Sequence, residues 1–139
     1  MNTAFVDTNI LLDLLLRREP FYPAAAALFS HADRGNIKLY ISALTVANTN
    51  YIAARYIGQK RTRTLLVDLL EVCTITPLDS EVVTAALKAE NFTDVEDAMQ
   101  YFMALRTNAE VVTTRDPKGF KNSQYLLRTA DEFLQNLDL

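Results

Sequence analysis

Residues 4–13 read Ala4-Phe5-Val6-Asp7-Thr8-Asn9-Ile10-Leu11-Leu12-Asp13, and this stretch decides the fold. Its apolar start predicts a buried strand that stops at a carboxylate, Asp7. Thr8 and Asn9 supply turn and helix-cap chemistry, and the apolar residues after them recur at helical spacing. We therefore expect a strand–Asp–helix junction, with Asp7 at the carboxyl end of the first strand, where open α/β sheets bind their ligands. Taken alone, Asp7 is equally explained as a helix cap.

The rest of the chain repeats this alternation of strands and helices. Apolar and β-branched runs predict further strands at 38–41, 72–76, 110–114 and 125–127, with helical patterns between them. Glycine and proline number only 3 and 4, which argues against an all-β fold built on tight turns. We therefore expect an α/β fold with a parallel, helix-covered sheet, and the length fits a single domain over 1–139.

Composition bears on where the protein works. Half of the residues are hydrophobic and 22% are charged, which argues against disorder. The apolar stretch at the start has no basic flank, is interrupted by Asp7 and Asp13, and is too short to span a bilayer. The single cysteine, Cys73, has no partner for an internal disulfide. These features predict a soluble, cytoplasmic protein with no membrane association.

The charge distribution leaves the class of partner open. The net charge is −3, whereas general nucleic-acid binders are usually basic. Basic residues nevertheless cluster where one predicted helix ends and the next begins. This cluster is either an ordinary solvated face or an edge that contacts the phosphates of RNA; its members are Arg55, Lys60, Arg61 and Arg63.

Further acids stand at later junctions between strands and helices. Asp94 and Asp97 lie three residues apart at the start of a predicted helix, and Asp116 follows the fourth predicted strand. Each also has a simpler explanation, because Asp94 suits a helix N-terminus and Asp116 precedes a proline in a turn. Thr93 and Glu96 have the spacing of a capping box, so we expect Glu96 to be structural.

Two other helices have recognisable capping residues in the sequence. Ser42 follows the second predicted strand and is expected to cap the helix after it. Thr129 and Glu132 have capping-box spacing at the start of a predicted closing helix.

Carboxylates gathered at one edge of a sheet repel one another, and a hard divalent cation relieves that repulsion. Mg²⁺ takes one or two carboxylates, keeps several waters and completes its coordination with substrate phosphate. The sequence has no Gly-rich phosphate loop, no His/Cys zinc cluster and no Gly-x-Ser-x-Gly nucleophile elbow. This pattern favours metal-dependent phosphoryl chemistry with water as the nucleophile.

Four stretches together resemble the motifs of PIN domains, which include the VapC-type ribonuclease toxins. They are Phe5 to Leu12, Ile41 to Thr45, Asp94 to Ala98 and Val111 to Asp116. The resemblance implies a doubly wound three-layer α/β/α sandwich with a mainly parallel central sheet. It also implies an acidic Mg²⁺ or Mn²⁺ site that cleaves single-stranded RNA, a homodimer, and an antitoxin as partner.

The resemblance also assigns roles to residues. Asp7, Asp97 and Asp116 fall on the acidic catalytic and metal-binding positions of the family, and Asp94 falls on an accessory metal-binding position. Thr8, Asn9 and Thr114 match polar supporting positions beside these acids.

One position departs from the family pattern. PIN domains usually carry a Glu on the helix after the second strand, in a Ser-x-Leu-Thr-x-x-Glu pattern, and this chain has Asn48 there. An Asn carbonyl can bind Mg²⁺ or a metal-bound water, but it adds no negative charge. Three hypotheses remain: a metal-dependent endoribonuclease, a PIN-like module that binds RNA or protein without cleaving, and an unrelated α/β phosphotransfer or phosphatase domain.

Overall fold

Five parallel strands form the central sheet of the computed structural model, which describes residues 2–120 and 123–137. The strands stand in the order β3-β2-β1-β4-β5, and every neighbouring pair is parallel. The first strand therefore lies in the middle of the sheet, as its apolar residues require. The strands are β1 (Thr3–Val6), β2 (Lys38–Ser42), β3 (Cys73–Thr76), β4 (Val111–Thr113) and β5 (Leu126–Arg128).

Helices connect the strands and cover both faces of the sheet, which confirms the predicted α/β/α sandwich. The two faces follow from the alternation of side chains along each strand. Ala4 and Val6 pack into a large apolar cluster on one face, while Phe5 packs with Val112 and Ala104 on the other. The helices are α1 (Thr8–Leu15), α2 (Tyr22–Asp33), α3 (Ala43–Ile57), α4 (Gln59–Leu69), α5 (Ser80–Lys88), α6 (Val95–Thr107), a 3₁₀ turn (Pro117–Phe120) and α7 (Ala130–Gln135).

The strand order places a topological switch between β1 and β4. From β1 the chain moves outward through β2 to β3, and it then returns to the other side of β1 for β4 and β5. In open α/β sheets ligands bind in the crevice beyond the carboxyl ends of the strands at such a switch. Asp7 follows β1 and Thr114 follows β4, so the two residues flank this crevice.

Capping residues set several helix ends as predicted. Ser42 is the N-cap of α3, and its hydroxyl accepts a hydrogen bond from the backbone N–H of Thr45 at 2.8 Å. Thr129 and Glu132 form the predicted capping box of α7. These caps satisfy N–H groups that have no partner inside the helix.

The start of α6 differs from the predicted capping box. The helix begins at Val95 with Asp94 as its cap, and the Asp94 carboxylate accepts a hydrogen bond from the backbone N–H of Asp97 at 3.1 Å. The prediction of a capping box between Thr93 and Glu96 is therefore wrong by one residue. An Asp can cap a helix as well as a Thr, and here the carboxylate does so. The side chain of Glu96 is consequently available for another contact.

None of the helices within residues 2–120 and 123–137 combines the length and the apolar character that a membrane span requires.

Candidate active site at the carboxyl edge of the sheet

Asp7 is fixed by hydrogen bonds to both of its carboxylate oxygens. Oδ1 accepts from the backbone N–H of Thr8 at 2.8 Å, as in a helix cap. Oδ2 accepts from the hydroxyl of Thr114 at 2.7 Å and from the side-chain amide of Asn9 at 3.3 Å. Asp7 therefore caps α1 and also lies at the crevice, and the two roles are compatible.

Thr114 and Asn9 tie the ends of β1 and β4 together. The Thr114 hydroxyl has one proton, and the short contact to Asp7 indicates that Asp7 receives it. The same oxygen then accepts from the backbone N–H of Asp116 at 3.0 Å. Asn9 Oδ1 accepts from the backbone N–H of Arg115 at 3.1 Å. These supporting polar residues therefore position the loop that carries Asp116.

A buried polar layer lies beneath this edge. The hydroxyl of Thr8 contacts the hydroxyl of Thr45 at 2.8 Å, and the Gln100 amide donates to Thr45 at 3.0 Å. The layer links α1, α3 and α6, the three helices that begin at or near the crevice. Within the described residues, Thr49 Oγ1 and Gln100 Oε1 are buried polar atoms without a hydrogen-bond partner.

The start of α6 brings Asp97 to the same edge. The 3₁₀ turn after β4 lies against it so closely that a Cβ atom built on Gly119 would stand 3.0 Å from Asp97 Oδ1. The backbone at Gly119 does not have a positive φ, so glycine matters here for space: a Cβ would require the Asp97 carboxylate to shift by a few tenths of an ångström. Sequence reasoning missed this residue, because its requirement comes from a neighbour in space.

The acids are near enough to one another to interact electrostatically. Burial and, after it in order of size, the charges of Asp94, Asp7, Glu96 and Asp116 together raise the pKa of Asp97 to about 6. Burial also raises the pKa of Asp7, which hydrogen bonds from Thr114 and Thr8 oppose and the charges of Asp116 and Glu96 reinforce. The structure thus brings the four predicted acids together and adds Glu96 to them.

These acids suit a magnesium-like cation in their chemistry. Within residues 2–120 and 123–137 no three Asp, Glu, His or Cys side chains are already grouped so as to hold a metal ion. A site that bound its cation through one or two carboxylates, with water in the remaining positions, would not need such a group, and Mg²⁺ is usually held in this way. The hard oxygen donors and their mutual repulsion fit that cation.

A buried ion-pair cluster braces the site from below. Asp13 is only 1% exposed, and its carboxylate accepts from Arg115 Nε at 2.6 Å and from Arg18 Nε at 2.9 Å. Arg18 also donates to the backbone carbonyl of Asn9 at 3.1 Å, and the Arg115 guanidinium stands 3.7 Å from the ring centre of Phe21. In the sequence, Asp13 is a lone charge in the apolar stripe of α1, and it indicated only an interruption of that stripe.

Asn48 contacts the acidic group from α3. Its side-chain amide Nδ2 donates to Glu96 Oε1 at 2.8 Å. Position 48 therefore faces the rim of the crevice, where the family pattern has its Glu. A direct role of Asn48 in metal binding stays a prediction.

The basic cluster lies away from the acids. Arg55 is near the end of α3, about 20 Å along the helix axis from Ser42 at the crevice. Lys60, Arg61 and Arg63 follow in the first half of α4, and all four side chains are exposed. The structure does not bring this cluster into the acidic group, and its contact with RNA stays a prediction.

Comparisons with known proteins agree with this geometry. The PIN-domain family model matches residues 4–123. Ribonuclease VapC1 of Aquifex aeolicus is 22% identical over 135 residues, which cover 94% of this chain and 92% of that protein. VapC20 of Mycobacterium tuberculosis, described as a Sarcin-Ricin loop cleaving toxin, has a TM-score of 0.68 at 12% identity, covering 86% of this chain and 95% of that one. A toxin–antitoxin complex from Klebsiella pneumoniae gives 0.66 at 23% identity, with 91% and 97% covered.

Replacement of Asp13 tests the buried brace. Asp13→Asn leaves two guanidinium groups without their shared carboxylate, and we expect the free energy of unfolding to fall by about 3 kcal/mol. Urea denaturation measures the loss. The control is Asp68→Asn on the exposed face of α4, which we expect to change stability by less than about 0.5 kcal/mol. Equal stability of the two variants would contradict the brace.

The raised pKa of Asp97 predicts a pH-dependent stability in the metal-free protein. The ordinary pKa of this carboxyl is 3.8 and the folded-state value is about 6, so the folded protein binds the proton more tightly than the unfolded chain does. Stability is therefore lost as pH rises from about 4 to about 6.

The variant Asp97→Asn removes this charge and isolates its effect. With chelator present, we expect the variant to be more stable than the wild type at pH 7 and equal to it at pH 4, as measured by urea denaturation at both values. A variant that is less stable by the same amount at both pH values would show that repulsion is not the cause.

Proposed function

The chain belongs to the PIN-domain family, and we propose that it is a metal-dependent endoribonuclease that cleaves single-stranded RNA. The observation that carries the proposal is the group formed by Asp7, Asp97 and Asp116, whose carboxylates act on one another at the switch point of the sheet. A structural role alone does not explain why several carboxylates are kept together against their repulsion. The name of the similar Aquifex aeolicus protein, a ribonuclease, supports the same activity.

One or two of the carboxylates of Asp7, Asp97 and Asp116 would bind a Mg²⁺ or Mn²⁺ ion directly, and the others, with Asp94 assisting, would act through its bound water. When bound, such an ion supplies positive charge at the scissile phosphate and lowers the pKa of a water molecule. Asp7 contributes a carboxylate whose direction is set by Thr114, Asn9 and the Thr8 backbone. Because these donors are already in place, Asp7 needs no reorganisation during the reaction.

The reaction is hydrolysis of a phosphodiester bond. Water forms a new bond to phosphorus, the bond from phosphorus to the 3′-oxygen breaks, and that oxygen takes up a proton. The products are a 5′-phosphate and a 3′-hydroxyl. Thr8, Asn9, Asn48 and Thr114 support this chemistry by holding the acids, and no side chain forms a covalent intermediate.

Partners follow from the same family. We infer that the protein is the toxin of a toxin–antitoxin pair, because a toxin–antitoxin complex is among its structural neighbours at a TM-score of 0.66. A cytoplasmic homodimer, inhibited by an adjacent-gene antitoxin, completes the proposal. The exposed cluster Arg55, Lys60, Arg61 and Arg63 would contact RNA phosphates beyond the scissile bond.

One observation favours a second candidate function. Asn48 replaces a Glu of the family pattern, and a site that depended on position 48 for its charge would bind metal more weakly. A PIN-like module that binds RNA or protein without cleaving would show RNA binding that does not depend on Mn²⁺ and no accumulation of cleaved product.

The variant Asp7→Asn tests the nuclease directly. We expect Mn²⁺-dependent cleavage of single-stranded RNA to fall at least about 100-fold, because the best-ordered carboxylate of the site is lost. The fold should persist, and the metal-free melting temperature should stay the same or rise as repulsion is relieved. A gel assay with 5′-labelled RNA measures cleavage, and Asp68→Asn serves as the control. Full activity of Asp7→Asn would remove Asp7 from the mechanism.

Replacement of the basic cluster by alanine tests the RNA contact. If all four residues bind phosphates of single-stranded RNA, the slope of log affinity against log salt should fall by up to about 3. Fluorescence anisotropy of the inactive Asp7→Asn protein measures binding without cleavage. Arg34→Ala with Lys88→Ala removes exposed charges elsewhere and should leave the slope unchanged. An unaltered slope in the cluster variant would make this surface an ordinary solvated face.

A further inference from the structure

Asn48 and Glu96 form a contact between α3 and α6 at the rim of the acidic group. Asn48 stands in the second turn of α3, and Glu96 stands in the first turn of α6. Nδ2 of Asn48 lies 2.8 Å from Oε1 of Glu96. An ionised carboxylate only accepts hydrogen bonds, so the amide must present its N–H₂ group to Glu96.

The Glu96 side chain does not cap α6, the helix on which it lies. Asp94 caps α6 through the backbone N–H of Asp97, whereas a capping box would have joined the Thr93 hydroxyl to the backbone N–H of Glu96. The Glu96 side chain instead reaches across to α3. Its charge acts on both Asp7 and Asp97, raising the pKa of each. Glu96 also directly precedes Asp97 in the first turn of α6 and reaches Asn48 on α3, so its carboxylate lies beside the three acids of the proposed site.

We propose that Glu96, oriented by the Asn48 amide, supplies the carboxylate that the family pattern places at position 48. The inference rests on the proposed nuclease function and adds a metal-site residue to it. The negative charge of the site is preserved, but it is delivered from α6 instead of α3. Asn48 is then the positioning residue of Glu96, and its lack of charge is no loss to the site.

A merely structural role for Glu96 has a different signature. An acid in the first turn of a helix interacts favourably with the helix dipole, and its loss changes stability by a fraction of a kcal/mol. Such a role predicts no change in metal affinity. Metal binding is therefore the readout that separates the two roles.

Calorimetric titration with Mn²⁺ provides the test. We expect Glu96→Gln to weaken Mn²⁺ binding about tenfold or more, and Asn48→Ala to weaken it about tenfold by releasing Glu96. The double variant Asn48→Glu/Glu96→Gln returns the carboxylate to α3 and should restore affinity to within about threefold of the wild type. The control Glu71→Gln removes one charge just before β3, at the opposite edge of the sheet, and should leave affinity unchanged.

Metal-free stability gives a second readout that does not depend on activity. Asn48→Glu alone sets a second carboxylate against Glu96 across a contact that is now 2.8 Å. We expect its melting temperature in chelator to fall by several degrees, to recover when Glu96→Gln is added, and to rise more than that of the wild type on addition of Mn²⁺.

The outcomes separate this inference from the function on which it rests. Mn²⁺ binding and RNA cleavage by the wild type, with equal Mn²⁺ affinity in Glu96→Gln, would overturn the role of Glu96 and leave the nuclease in place. No Mn²⁺ binding by the wild type would overturn both. A double variant that binds Mn²⁺ no better than Glu96→Gln would show that positions 48 and 96 are not interchangeable, and would overturn the inference as well.

Discussion

The hydrogen bond from the Thr114 hydroxyl to Asp7, at 2.7 Å, joins the ends of β1 and β4. These neighbouring parallel strands are the point at which the strand order of the sheet changes direction. The carboxyl ends of β1 and β4 meet there, and each would otherwise present unsatisfied polar groups to a crevice. Asn9 repeats the link through the Arg115 backbone at 3.1 Å. The position of Asp116 depends on both bonds, so the geometry of the acidic group follows from the pairing of these two strands.

The carboxylates of Asp7, which caps α1, and Asp13, which lies within α1, have different surroundings. Asp13 is buried, and two partly exposed arginines, Arg18 and Arg115, balance its charge. Asp7 accepts hydrogen bonds but faces other acids, and burial raises its pKa. One acid therefore stabilises the scaffold, whereas the other retains an unbalanced charge that a cation could satisfy. Two carboxylates within seven residues of chain thus differ in whether the protein itself supplies the balancing charge.

Local sequence signals predicted much of the fold. The strand before Asp7, the Ser42 cap and the capping box at Thr129 depend on neighbours in the chain, and each is present as expected. The family motifs supplied the acidic positions, and the structure brings those residues together. The prediction for Glu96 failed because Asp94 and Thr93 are both good caps, and local spacing alone did not decide between them. The partners of Asp13 and the closeness of Gly119 to Asp97 join residues far apart in sequence, so no pattern within a window could reveal them.

The lack of a side chain at Gly119 has a consequence for natural variation in this protein. Its backbone dihedral suits any residue, so the chain itself does not demand glycine there. The constraint comes from the carboxylate of Asp97, which would have to shift by a few tenths of an ångström to admit a methyl group. Selection at position 119 therefore depends on the residue at position 97, and the two positions should vary together. A lineage that abandoned Asp97 could accept alanine at 119 without disturbing a neighbour, whereas one that kept Asp97 would have to displace its carboxylate.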